Sequence, residues 1–292
     1  MKHKTPFQLQ VGTDPDRILR GDVFSPPSGD PKGIVIICHG YKGFKDWGMF
    51  PYTASELSDE YEVVTFNFSH NGVGTDMETF TELEKFAHNT YSRELEDLGV
   101  LIEAVSASSH VVQQTDSTTN QLPIYLLGHS RGAGVSLLYA LDHPEQVDGV
   151  ISWNGIGDVD LFSSEEKAAM WEKGRAYVFN SRTQQHMPLD VEILKDMERN
   201  REQFDLITRI SELAVPAILI QGSEDFTRLK KQNERLREQQ PRLAYVQIPE
   251  GNHTFLAVHP FKGTTGPLEG AIAATKNWLS QQIQSDKDKK EE

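Results

Sequence analysis

Residues 122–134 read LPIYLLGHSRGAG. An apolar run leads into Gly128-His129-Ser130-Arg131-Gly132, and a helix-forming stretch follows. This is G-x-S-x-G between a strand and a helix, the setting in which that spacing carries chemistry. A serine on so sharp a turn leaves no room for side chains beside it, hence the glycines. The turn holds the hydroxyl above the strand ends. The helix starting there offers N–H groups and a favourable dipole to a developing anion. The plainer alternative is a serine capping an ordinary strand-to-helix turn.

A serine hydroxyl is a poor nucleophile at neutral pH and needs a base. Among ten histidines, His253 is the candidate. It sits in PEGNHTF just past the last apolar run, where a loop can reach back over the sheet edge. His259 is the runner-up. His129 is expected to point away from the hydroxyl and bond locally, and His39 to order the loop after its strand. The base needs a third group to fix its tautomer and stabilise its cation. Asp225 in QGSED lies just beyond another strand; Glu224 adjoins it, and Asp158 is the alternative. An oxyanion needs donors. The strand in IVIICHGYKGFKDW ends at His39-Gly40, so the chain can aim the N–H of Tyr41 at the site. The N–H of Arg131 supplies a second donor, and loss of one such donor costs about 3–4 kcal/mol of barrier. Lys42, Lys45 and Arg131 add positive charge nearby, although solvated surface explains the lysines equally well.

Short apolar runs must carry these residues: 34–38, 61–68, 122–127, 147–153, 215–221 and 243–248. Such runs suit strands buried on both faces of a parallel sheet. Helical spacing marks 93–105, 132–141, 227–239 and 268–283. Segments 7–11 and 18–24 read as an antiparallel lead-in hairpin around Asp14-Pro15. Alternating strands and helices predict an α/β fold, a mostly parallel eight-stranded sheet with helices on both faces. About sixty residues separate Trp153 from Val215, far beyond a usual connection of ~2–6. The expected organisation is a core of 1–154 and 212–284, an inserted helical cap at 155–211, and a charged, disordered tail at 285–292. In the cap, Trp171, Tyr177, Phe179 and Met187 are candidates to wall a pocket, or to hold the cap together.

The chain has 292 residues, a formal net charge of −14 and one cysteine, Cys38. Its size allows a core that needs no disulfide. Its acidity argues against nucleic acid or an anionic membrane as partner. The polar N-terminus has no apolar signal core, so the expected location is cytoplasmic. No metal-binding or nucleotide-binding motif is present, and no cofactor is expected.

Together, HGY at 39–41, GHSRG at 128–132, GSED at 222–225 and GNHTF at 251–255 resemble the α/β-hydrolase superfamily over almost the whole chain. HGYKGFKDWGMFP and NFSHNGVG are similar to a bacterial esterase-like branch, grouped with dienelactone hydrolases, serine aminopeptidases and cinnamoyl or feruloyl esterases. Dienelactone hydrolases proper carry a cysteine nucleophile where Ser130 stands here. The HGGPG loop of proline iminopeptidases is HGYKG in this chain. The resemblance implies ester hydrolysis on a small-molecule substrate through Ser130, Asp225 and His253. A small-peptide hydrolase shares that set, and would need acidic residues such as Glu165, Glu166 or Glu172 to hold a substrate amine. A non-catalytic binding protein of the same fold is the remaining alternative. An imidazole base must be neutral, so hydrolysis is expected to fall in acid.

Overall fold

The computed structural model describes residues 3–77, 79–107 and 122–291. Two antiparallel strands open the chain, β1 (His3–Gln10) and β2 (Ile18–Ser25). Then β3 (Ile34–Cys38), α1 (Phe50–Leu57), β4 (Glu62–Asn67), α2 (Leu83–Ala87) and α3 (Tyr91–Ser106) follow. The pair β5 (Ile124–His129) and α4 (Arg131–Asp142) meets at Ser130, and β6 (Gly149–Trp153) comes next.

The long excursion contains α5 (Ser164–Lys173), β7 (Arg175–Asn180), β8 (Gln185–Asp190), α6 (Val191–Arg199) and α7 (Leu206–Arg209). The core then resumes with β9 (Ala217–Gly222), α8 (Thr227–Gln239), β10 (Ala244–Ile248) and α9 (Gly266–Glu291). The eight-stranded sheet runs β1-β2-β4-β3-β5-β6-β9-β10. From β4 through β10 every pairing is parallel.

The strands are apolar on both faces because both faces are covered. Ile34, Ile36 and Cys38 join one core with Leu98 and Leu101 of α3 and Leu137 of α4. Val35 and Ile37 join the other with Phe50 of α1 and with Leu268 and Leu279 of α9. Parallel strands end on one side of the sheet, so the loops after β3, β5, β6, β9 and β10 gather there.

The excursion is helical at both ends, with an antiparallel hairpin between them that a purely helical reading does not anticipate. The switch has a physical cause. Gly174 closes α5 in the left-handed region at φ 79°, where a side chain is disfavoured. The alternating RAYVFN that follows suits a half-buried strand. At the far end of the chain, α9 runs to Glu291, through the segment that composition marks as a disordered tail. Its lysines and glutamates are good helix formers. Among the described residues no helix is long and apolar enough to cross a membrane.

Candidate active site

Ser130 holds φ 55° and ψ −116°, a left-handed conformation that costs a non-glycine residue about 1–3 kcal/mol. The flanking glycines make it possible. A Cβ on Gly128 would lie 2.3 Å from the Ala133 Cα, and one on Gly132 would lie 2.2 Å from the Cys38 carbonyl oxygen. Backbone bonds then fix the turn. The Ser130 N–H donates to the Trp153 carbonyl at 3.0 Å, and the Ser130 carbonyl accepts from the Ile156 N–H at 3.2 Å.

The hydroxyl lies 3.0 Å from Nε2 of His253. On the other side of that ring, Nδ1 lies 2.8 Å from Oδ1 of Asp225. Asp225 is buried. Its Oδ1 also accepts from the Phe226 N–H at 2.7 Å, and its Oδ2 accepts from Nε2 of Gln221 at 2.5 Å. Those bonds fix the orientation of the carboxylate. The structure thus brings together the three residues that the spacing singled out.

Two features were not legible in the sequence. Asn154, buried with φ 47°, links three loops. Its Oδ1 accepts from the Gly222 N–H at 2.7 Å, and its Nδ2 donates to the carbonyls of Asn252 and His253 at 3.1 and 3.0 Å. Arg182, at the tip of the β7–β8 hairpin, reaches the cavity that contains Ser130. That cavity, about 50 Å³, is lined by Tyr41, Lys42, Trp47, Ser130, Arg182 and His253 among others. A polar turn, NSRTQQ, was the available signal for the hairpin.

The other histidines have local work. His129 donates from Nε2 to the His253 carbonyl at 2.8 Å. Burial holds its pKa down, to about 3. His39 bonds the Gly40 carbonyl through Nδ1 at 3.0 Å, and its Nε2 accepts from the Phe68 N–H at 3.3 Å. Burial lowers it to about 4. It therefore orders the loop that carries Tyr41. His259 instead accepts from the Gly48 N–H at 3.1 Å and stacks on Trp47. Asp158 lines a separate cavity, and Glu224 is exposed beside Ser223.

A Cβ on Gly40 would come within 3.1 Å of the Ser130 Cβ, so the loop holding Tyr41 passes directly over the serine. The nearby cations divide. Lys45 is buried in ion pairs with Asp22 and Asp46. Arg131 is buried against Glu94 at 2.8 Å, with its guanidinium 4.0 Å from the Tyr91 ring centre. Lys42 and Arg182 line the cavity instead.

None of the four pocket-wall candidates lines the cavity at Ser130. Tyr177 and Phe179 are exposed, since alternate residues of β7 share its outward face. Met187 is buried within the excursion. Trp171 lines the separate cavity of about 700 Å³ beside Asp158, Arg201 and Phe204. Cys38 is buried at the end of β3, and burial pushes its thiol up to about 12.

Known proteins share this architecture. A segment of 125 residues is 26% identical to monoglyceride lipase from Rattus norvegicus, covering 43% of this chain. The chain spans only 35% of the length of that curated relative. Est1E from Butyrivibrio proteoclasticus, solved with ferulic acid bound, superposes with a TM-score of 0.69 at 16% identity, covering 94% of this chain and 99% of that one. Dienelactone hydrolase from Anabaena variabilis ATCC 29413 gives 0.59 at 17% identity, covering 96% and 98%. The family model described as serine aminopeptidase, S33, matches residues 29–209. The chain belongs to that family of hydrolases and has the α/β-hydrolase fold.

Proposed function

We propose that the protein hydrolyses carboxylic esters through an acyl-enzyme on Ser130. The observation that carries this reading is the hydrogen-bonded series from the Ser130 hydroxyl through His253 to Asp225, at 3.0 and 2.8 Å. The hydroxyl attacks the ester carbonyl as His253 Nε2 takes its proton. The tetrahedral oxyanion is held by the N–H groups of Tyr41 and Arg131. His253 then protonates the leaving alcohol. Water attacks the acyl-enzyme with His253 again as base, releasing the acid and restoring the serine. Asp225 keeps the imidazole in the tautomer with Nδ1 protonated and stabilises its cation. The excursion between β6 and β9 serves as a cap, its hairpin tip forming one wall of the cavity.

Peptidase action is the second reading, suggested by the family's description. An enzyme that trims N-termini must bind an ammonium group, yet among the described residues no acidic side chain lines the cavity at Ser130. Glu166 is engaged in capping α5, where it accepts from the Ser163 N–H. This favours esters.

The test is a panel of p-nitrophenyl esters, methyl ferulate and aminoacyl p-nitroanilides, run beside Ser130→Ala. Ester turnover that disappears in the variant is expected. Faster turnover of the anilides would transfer the protein to the peptidase reading. Absence of fluorophosphonate labelling at Ser130 would reject nucleophilic catalysis altogether.

A further inference from the structure

Lys42 and Arg182 stand apart from the other cations near Ser130. Lys45 and Arg131 are neutralised by carboxylates. Among the described residues, neither Lys42 nor Arg182 has an ion-pair partner; each instead lies against an aromatic ring. The Arg182 guanidinium is 4.8 Å from the Trp47 ring centre, and the Lys42 ammonium is 5.4 Å from that of Tyr41. Both line the cavity that holds Ser130 and His253. They reach it from different elements, one on the loop after β3 and the other on the cap hairpin.

Lys42 also occupies an unfavourable backbone. The Gly43 N–H donates to the Gly40 carbonyl at 3.0 Å, which closes a four-residue turn with Lys42 third. Its φ is 53°, and glycine or asparagine is normally required there. A lysine in that place sacrifices stability, as residues at functional sites often do. Burial and the neighbouring Arg182 guanidinium both hold its pKa below the usual lysine range. An arriving anion would relieve that repulsion. Glu166 lies within electrostatic reach of Lys42 but is engaged with Ser163.

We propose that Lys42 and Arg182 form an anion clamp, and that the substrates are esters bearing a carboxylate on the acyl or the alcohol side. The clamp rests on the ester reading for its chemistry, while its binding can be measured without turnover. The planar guanidinium can engage both carboxylate oxygens, and Trp47 supports it for that purpose. The ammonium supplies a point charge from the loop after β3.

Binding is tested first in Ser130→Ala by calorimetry, with phenylpropionate and phenylpropionamide as probes. The carboxylate is expected to bind at least tenfold more tightly, and added Arg182→Gln should remove the difference. Equal affinity of the two probes overturns the clamp. In the active protein, p-nitrophenyl hydrogen succinate is compared with p-nitrophenyl isocaproate for the acyl side. For the alcohol side, p-carboxyphenyl butyrate is compared with p-carbamoylphenyl butyrate. In one pair the anionic ester should have the higher kcat/KM by tenfold or more. Arg182→Gln should collapse that ratio, and Arg182→Lys should restore part of it. Lys42→Gly should lower the ratio while raising the melting temperature, because it removes charge and strain together. A ratio unchanged in both variants overturns the proposal. If carboxylate binding is selective but no ester turns over, the ester reading fails and the clamp stands.

Discussion

The Ser130 site depends on how one side chain, Asp225, is held. Gln221, Phe226 and His253 all donate to its carboxylate, so it remains an acceptor facing Nδ1. Asp225→Asn offers an amide there and favours the wrong imidazole tautomer. We expect kcat to fall by about 10³–10⁴ with little change in KM; ester kinetics on the folded variant would check it, and a loss under tenfold would remove Asp225 from the mechanism. The sequence showed Ser130, Asp225 and His253 because each stands close to a glycine just past an apolar run. Asn154 and Arg182 carry no such local mark. Their partners are distant in sequence, and only the folded chain brings them together.

Between elements, α4 and α3 are joined by a buried charge pair. Arg131 and Glu94 are both buried, and Nδ2 of Asn89 adds a donor to Glu94 at 2.8 Å. Removing the carboxylate leaves a guanidinium uncompensated in the core. Glu94→Gln should therefore cost about 3–5 kcal/mol, measured by urea unfolding; a cost below ~1 kcal/mol would show that Tyr91 and the Asn89 carbonyl suffice for Arg131. The main strands and helices were legible from runs and spacing. The β7–β8 hairpin was hidden because helix-forming residues flank it on both sides, so the prevailing composition outweighed a six-residue alternation.

For the protein as a whole, acid stability follows from histidines that burial holds in the neutral form. Burial lowers His39 and His70 to about 4 and His129 to about 3. In the unfolded chain they take up protons near pH ~6.5. The unfolded state then holds more protons than the folded one. Stability is full above that pH and falls as pH drops through about 6.5 towards 4, by up to ~1.4 kcal/mol per pH unit for each group. Urea midpoints should thus be level above pH ~7 and decline below ~6.5; a level profile down to pH ~4 would mean that these rings are already protonated when folded.

The bond from His129 to the His253 carbonyl has a mechanical side. His129 is the chain neighbour of Ser130, and Asn154 holds the same carbonyl from the end of β6. Ser130 and His253 are thus parts of one hydrogen-bonded frame. The outer wall of the cavity is held separately, where the hairpin tip rests on Trp47. The wall that a ligand would meet can therefore be changed by substitution in the hairpin without disturbing the pairing of Ser130 with His253.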